Sequence, residues 1–132
     1  MKRPPLGPLL SEGKHRRVYA HREDPALVVK VEKSSGINRV EWAVWQALAD
    51  TPWAEHFAPV YEIGGRCWLT QTRCEPVPKG FQPMRVPLIC SPDAYRRNFG
   101  LLDGRLVCLD MGAMSPERIP REVMWRSAWW RQ

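Results

Sequence analysis

An α+β fold is predicted for this chain: a five-stranded antiparallel sheet beside one helix, followed by a small late hairpin. Three features of the sequence lead there. Short β-rich runs crowd the first 31 residues, a single helical period follows them, and two glycine-bearing turns each separate a pair of apolar runs.

Residues 1–8 hold three prolines and a glycine and are expected to be an irregular lead-in. Leu9-Leu10 opens the first strand and Val18-Tyr19-Ala20 continues the pattern. Ala26-Leu27-Val28-Val29-Lys30-Val31 is the most apolar run, set off by the polar turn His21-Arg22-Glu23-Asp24-Pro25. After Ser34-Ser35-Gly36 the spacing predicts a helix from about Asn38 to Asp50, with Ile37, Val40, Val44 and Leu48 on one stripe. Thr51-Pro52 ends it. Residues 58–63 and 66–74 flank Gly64-Gly65, which predicts a hairpin. A proline-rich loop is expected from Glu75 to Pro92. Leu101-Leu102 and the run Arg105 to Leu109 bracket Asp103-Gly104, a second hairpin turn. Ser115-Pro116 reads as a helix start, with serine as cap and proline next. Pro120 to Gln132, with Trp125, Trp129 and Trp130 among arginines, is expected to be helical.

At 132 residues the chain suits one domain, large enough for a real core. A hydrophobic content of 44% with 26% charged residues is that of an ordinary globular protein. No apolar run is long enough to cross a bilayer, and the start Met1-Lys2-Arg3-Pro4-Pro5 lacks the apolar stretch of a secretory signal. A cytoplasmic location is the expectation. Cys67, Cys74, Cys90 and Cys108 form no C-x-x-C pair, so buried reduced thiols are expected, with Cys67, Cys90 and Cys108 in apolar or strand-like runs. The three histidines make no metal-ligand pattern. A net charge of +6 suits an anionic partner without choosing one, and charge alone argues poorly for nucleic acid.

Two ionisable residues stand where burial is expected. Lys30 interrupts the apolar third strand, and Glu41 adjoins the apolar stripe of the helix. A buried lone charge costs several kcal/mol, and the economical solution is that Lys30 and Glu41 find each other. The alternative is that Lys30 snorkels from a sheet edge while Glu41 faces water. Asp110 ends the apolar run Leu106-Val107-Cys108-Leu109, before Met111-Gly112. Asp93 and Asn98 form an Asp-x-x-x-x-Asn spacing just ahead of the same hairpin. Such hard oxygen donors suit magnesium rather than zinc, although Asp and Asn also favour turns for their own sake.

In this order the residues resemble the protein-kinase set. Leu10-Ser11-Glu12-Gly13-Lys14-His15-Arg16-Arg17-Val18-Tyr19 resembles the glycine-rich loop, and Val28-Val29-Lys30 the third-strand lysine motif. Glu41 is similar to the helix glutamate that pairs with that lysine, and Thr72 to Val77 to the hinge. Ser91-Pro92-Asp93-Ala94-Tyr95-Arg96-Arg97-Asn98 resembles the catalytic loop, and Asp110-Met111-Gly112 the metal-binding Asp-Phe-Gly. The resemblance spans about residues 9–112 of a single domain, 1–132. It implies an N-lobe-like part at 9–75 and a reduced, vestigial C-lobe at 76–132. Small kinase-like proteins of this kind are also encoded by bacteriophages, which would put the protein in the host cytoplasm.

The resemblance implies ATP and Mg2+ as cofactors. Gly13, Arg16, Val18, Lys30 and Glu41 would line the nucleotide site, with Lys30 on the phosphates and Glu41 orienting it. Asn98 and Asp110 would hold magnesium, and Asp93 would accept the proton of the attacking hydroxyl. Departures are plain. Only Gly13 survives of the loop glycines, with Ser11 and Arg16 at the other two positions. Ser91-Pro92 replaces His-Arg, Met111 replaces phenylalanine, and no long helices can fit between Glu75 and Asp93.

Two functions follow as expectations: a minimal serine/threonine-kinase-like phosphotransferase acting on a protein, or a pseudokinase-like binder of a host or partner protein. The Trp/Arg-rich C-terminus suits a protein partner or homo-oligomer, or else Trp125 and Trp129 simply cover the sheet. A nucleic-acid binder using arginines and stacked aromatics is a third, remoter reading.

Overall fold

The computed structural model describes residues 2–33, 35–65, 67–93 and 95–127; of residues 91–93 it describes the backbone. Five strands form the main sheet: β1 (Leu6–Glu12), β2 (Arg16–His21), β3 (Leu27–Glu32), and, after the helix α1 (Ile37–Leu48), β4 (Val60–Gly64) and β5 (Trp68–Thr72). Their order is β1-β2-β3-β5-β4 and every neighbouring pair is antiparallel. The α+β class and the five-strands-plus-helix arrangement therefore hold.

The sheet begins earlier than its proline content predicts. β1 starts at Leu6 and runs through Pro8, because it is an edge strand paired only with β2 and its register is broken by bulges on either side of Leu9. An edge strand has one row of N–H groups without a ladder partner, so a missing donor is tolerated there. The turn between β4 and β5 forms at Gly64-Gly65 as expected. Gly65 takes a positive φ of 55°, and a β-carbon on Gly64 would collide with the ring of Trp68.

The segment expected to be a loop carries structure of its own. β6 (Glu75–Pro76) and β7 (Arg85–Pro87) are followed by a 3-10 segment, Leu88–Asp93. β8 (Phe99–Leu102) and β9 (Arg105–Cys108) make the late hairpin, and β6 joins its outer edge. Asp103 and Gly104 both have positive φ, 52° and 77°, the pairing a two-residue hairpin turn requires. A short 3-10 turn at Pro116–Arg118 follows Ser115.

The expected C-terminal helix is not formed in the described residues. Trp125–Ser127 is instead a strand, β10, paired antiparallel with β7. Tertiary pairing outweighs local preference here: β7 offers an unpaired edge, and Leu88 N–H donates to Met124 O at 2.8 Å to extend the contact. The remainder of that expectation, residues 128–132, lies outside the described residues.

The core gathers Val44 and Leu48 of α1, Trp53 and Phe57 beyond it, Val60 and Leu69 of the sheet, and Val86, Cys90, Phe99, Cys108 and Met111 of the second half. One core thus spans both halves. Trp53 is fully buried and its indole N–H donates to Pro120 O at 2.7 Å, which satisfies the polar end of an otherwise apolar ring. Cys67 is exposed, contrary to expectation, because it sits in the turn after Gly65 rather than in the strand. Cys90 and Cys108 are buried as expected.

The buried stripe of α1 also differs from the periodicity. Val40 is 37% exposed, whereas Asn38, Glu41, Val44 and Leu48 are buried. The helix is turned so that a carboxylate, not a valine, faces inward. Its reason lies in the charges it meets.

Candidate functional site

The site forms on one face of the sheet. Residues paired across neighbouring strands share a face, as do residues two apart on one strand. Val18 pairs with Lys30 and Arg16 with Glu32, so Arg16, Val18, Lys30 and Glu32 all project to the same side. Helix α1 and the end of β9 close over them.

Lys30 and Glu41 meet as expected. Lys30 Nζ lies 2.5 Å from Glu41 Oε1, and it also donates to Leu109 O at 2.5 Å. Lys30 is 4% exposed and Glu41 wholly buried, which removes the alternative of a snorkelling lysine and a solvated glutamate. Burial raises the Glu41 carboxyl, but Lys30 and Arg16 outweigh it and hold the group below its usual range, ionised. For Lys30, burial and then the Arg16 charge lower the ammonium, against the pull of Glu41 and Asp110.

Arg16 is the second cation of the cluster. Its Nη2 donates to Glu41 Oε2 at 2.6 Å and to Asp110 Oδ1 at 3.3 Å, while Nη1 donates to Asn38 Oδ1 at 2.9 Å. Burial alone would lower its pKa; Glu41 and Asp110 raise it. Two cations, Lys30 and Arg16, thus face two carboxylates, Glu41 and Asp110. Met111 N–H adds a further donor to Glu41 Oε2 at 3.2 Å. A buried ionic group persists only when its lone pairs are satisfied in this way.

A second layer fixes the first. Asn38 Nδ2 donates to Lys30 O at 3.0 Å. Glu32 accepts from Asn38 N–H at 2.5 Å and from Gly36 N–H at 3.1 Å. Glu32 therefore caps α1 from β3, supplying the negative charge its first turn lacks and tying helix to sheet beside Lys30. Neither Asn38 nor Glu32 was singled out from sequence. The available signal was Asn38 three residues before Glu41, on the face that Glu41 occupies.

The late hairpin delivers Asp110. Phe99 pairs with Cys108, and Leu109 N–H donates to Asn98 O at 2.8 Å, so the backbone of Asn98 lies beside the residue preceding Asp110. Asn98 is 9% exposed. Asp110 Oδ1 accepts from Gly112 N–H at 3.0 Å, and its side chain is 29% exposed. Gly112 packs against the side chain of Ile37 with no room for a β-carbon, which seats the end of β9 on the start of α1.

Gly13 behaves otherwise. Its N–H donates to Arg16 O at 2.9 Å, and an added β-carbon would meet nothing closer than Arg16 O at 3.9 Å. Neither space nor backbone demands glycine there. Val18 is half-buried on β2 next to Lys30. Asp93 ends the 3-10 segment Leu88–Asp93; the role expected of its side chain lies outside the described residues.

The sequence-expected residues Arg16, Lys30, Glu41 and Asp110 are brought together, and Asn98 stands beside them through its backbone. Asp110 and Asn98 offer hard oxygens of the kind Mg2+ takes, although one Asp110 oxygen already receives Arg16 and Gly112. Among the described residues no group of three or more His, Cys, Asp or Glu side chains converges on one point. No described helix is long and apolar enough to cross a membrane. No protein-family model and no curated protein sequence matches the chain.

Proposed function

We propose that this chain is a minimal protein-kinase-like protein that binds ATP with Mg2+ and transfers phosphate to a protein substrate. The observation that carries the reading is the buried Lys30–Glu41 pair with Asp110 in the same charge cluster. A lysine fixed by a helix glutamate in a core strand is costly as mere scaffolding, and phosphoryl transfer needs little beyond positioned charge. Lys30 would meet the phosphates, with Glu41 holding its ammonium in place. Asp110 and Asn98 would hold Mg2+, which when bound neutralises charge on the phosphate oxygens. Asp93 would take the hydroxyl proton.

A second reading, a pseudokinase-like binder of a partner protein, draws on Arg16. Its guanidinium lies against Glu41 and Asp110, where a nucleotide-bearing site would need open space. The Trp/Arg-rich C-terminus would then supply the partner surface, to another protein or to a second copy.

Thermal stabilisation by ATP with Mg2+, lost in Lys30→Ala and Asp110→Ala, is the expected result for the first reading. Absence of any shift at millimolar ATP rejects it. Transfer of label from γ-labelled ATP, abolished by Asp93→Ala, separates a phosphotransferase from a binder. A pull-down that survives those three substitutions and fails on removal of residues 121–132 supports the second reading.

A further inference from the structure

Two short ladders of the second half leave a space between them. On one, Trp125 pairs with Pro87 and Ser127 with Arg85, so Arg85, Pro87 and Trp125 project to one side. On the other, Phe99 pairs with Cys108, which puts Phe99 on the same face as Leu106, two residues from Cys108. These side chains line a cavity of about 230 Å3, with His56 of the 3-10 turn Ala54–His56 as a further wall. Met84 also lines it and is 94% exposed, so the cavity opens to water on that side. No residue of the Arg16, Lys30, Glu41 and Asp110 cluster takes part in its lining.

The walls are mostly apolar, and the charge among them is uncommitted. Arg85 Cζ lies 4.1 Å from the centroid of the Trp125 ring. Stacking of this kind uses a face of the guanidinium and leaves its in-plane N–H donors for a partner. Among the described residues none supplies an acceptor to the Arg85 guanidinium. Glu55 is engaged elsewhere, its Oε1 3.3 Å from His56 Nε2. Arg105, whose Nε donates to Glu55 O at 3.0 Å, adds a second positive charge near His56. An apolar slot with a planar cation at its edge suits an anion carried on a flat ring. A cavity of about 150 Å3 takes benzene, so this one has room for two fused rings. We propose that this cavity binds a small planar aromatic carboxylate, with its ring against Phe99 and its carboxylate on the Arg85 guanidinium. The ring gains aromatic contact with Phe99, and the fork of Arg85 meets both carboxylate oxygens. Such binding needs neither nucleotide nor phosphate transfer, so it stands or falls separately from the proposed activity.

Indole-3-acetate serves as the probe, with indole and acetate as the separate halves of its chemistry. NMR of the full chain, labelled in its methionine methyl groups, reads binding at Met84, whose signal Met84→Leu assigns. Indole-3-acetate is expected to move that signal saturably at submillimolar concentration. Indole should bind about ten-fold more weakly, the worth of a charge-assisted hydrogen bond, and acetate should leave the signal in place. Arg85 is exposed, and in Arg85→Gln indole and indole-3-acetate should bind equally. A Met84 signal unmoved by millimolar indole-3-acetate overturns the proposal. Equal affinity for indole in the unaltered protein, or a preference for the acid that survives Arg85→Gln, overturns it too. Should Arg85→Gln fail to fold, nitrogen-detected NMR of the unaltered protein decides instead. The Arg85 guanidinium signal should move with indole-3-acetate and not with indole, and a signal that ignores the acid overturns the proposal.

Discussion

Arg16 Nη2 stands 2.6 Å from Glu41 Oε2, on the carboxylate whose other oxygen receives Lys30. One anion therefore serves two cations, and the three groups are not interchangeable. Glu41→Gln leaves two buried cations facing each other, a loss of about 3–5 kcal/mol by analogy with broken buried pairs. Lys30→Met removes one cation, leaves Glu41 with Arg16, and fits a chain of similar length, so its cost should be clearly smaller. Urea midpoints at unchanged m-value measure both. Equal shifts would show that Arg16 does not compensate.

His56 should set a pH dependence near neutrality. It lies T-shaped against Trp125 with ring centroids 4.7 Å apart, in a cavity of about 230 Å3 that Met84, Arg85 and Phe99 also line. Burial lowers its pKa below the ordinary 6.5; Glu55 at 3.3 Å opposes this, and Arg105 and Arg85 reinforce it. The unfolded chain then takes up the proton before the folded one. Stability from this residue is complete above pH 6.5 and is lost as pH falls through the depressed folded value. Melting temperatures followed from about pH 7.5 to about pH 5 should fall, and His56→Gln should flatten that slope. The separate loss due to Glu41 comes only below 4.5, because its folded pKa is depressed beneath that value. An unchanged slope in His56→Gln would remove the assignment.

The thiols should react in a fixed order. Cys67 is exposed, Cys74 is half-buried with its thiol pushed up to about 11 by burial, and Cys90 and Cys108 are buried. At pH 8 roughly one Cys74 in a thousand would be thiolate, and the thiolate is the reacting form. A disulfide reagent should therefore label Cys67 rapidly in the native protein, and the other three only slowly or after denaturation. Labelling of Cys108 at the rate of Cys67 would contradict the packing between β9 and the segment that carries Cys90.

Much of this site was legible because charge violates pattern. Lys30 and Glu41 interrupt apolar runs, and the cost of burying either one alone forces the pairing. The Asp103-Gly104 and Gly64-Gly65 turns were legible because few residues adopt positive φ. The sequence marks Arg16 by its position in the stretch that resembles a glycine-rich loop, not by the bonds it makes, since nothing near it in sequence says that α1 and the end of β9 will both turn acceptors towards it. Periodicity puts Val40 inward for a similar reason: it counts apolar residues and misses a carboxylate whose burial is supported by distant cations. The strand at Trp125 was illegible locally, since only the free edge of β7 makes it a strand.

Lys30 also donates to the carbonyl of Leu109, 79 residues further along the chain. On a ribosome, β3 and α1 emerge long before that acceptor and before Asp110 exist, so the first half is released with its cations short of partners. Contacts of such long range are slow to form. The nascent sheet should stay soft until Leu109 and Asp110 have been translated and then consolidate in one cooperative step, which would make chains terminated before them prime targets for proteolytic clearance.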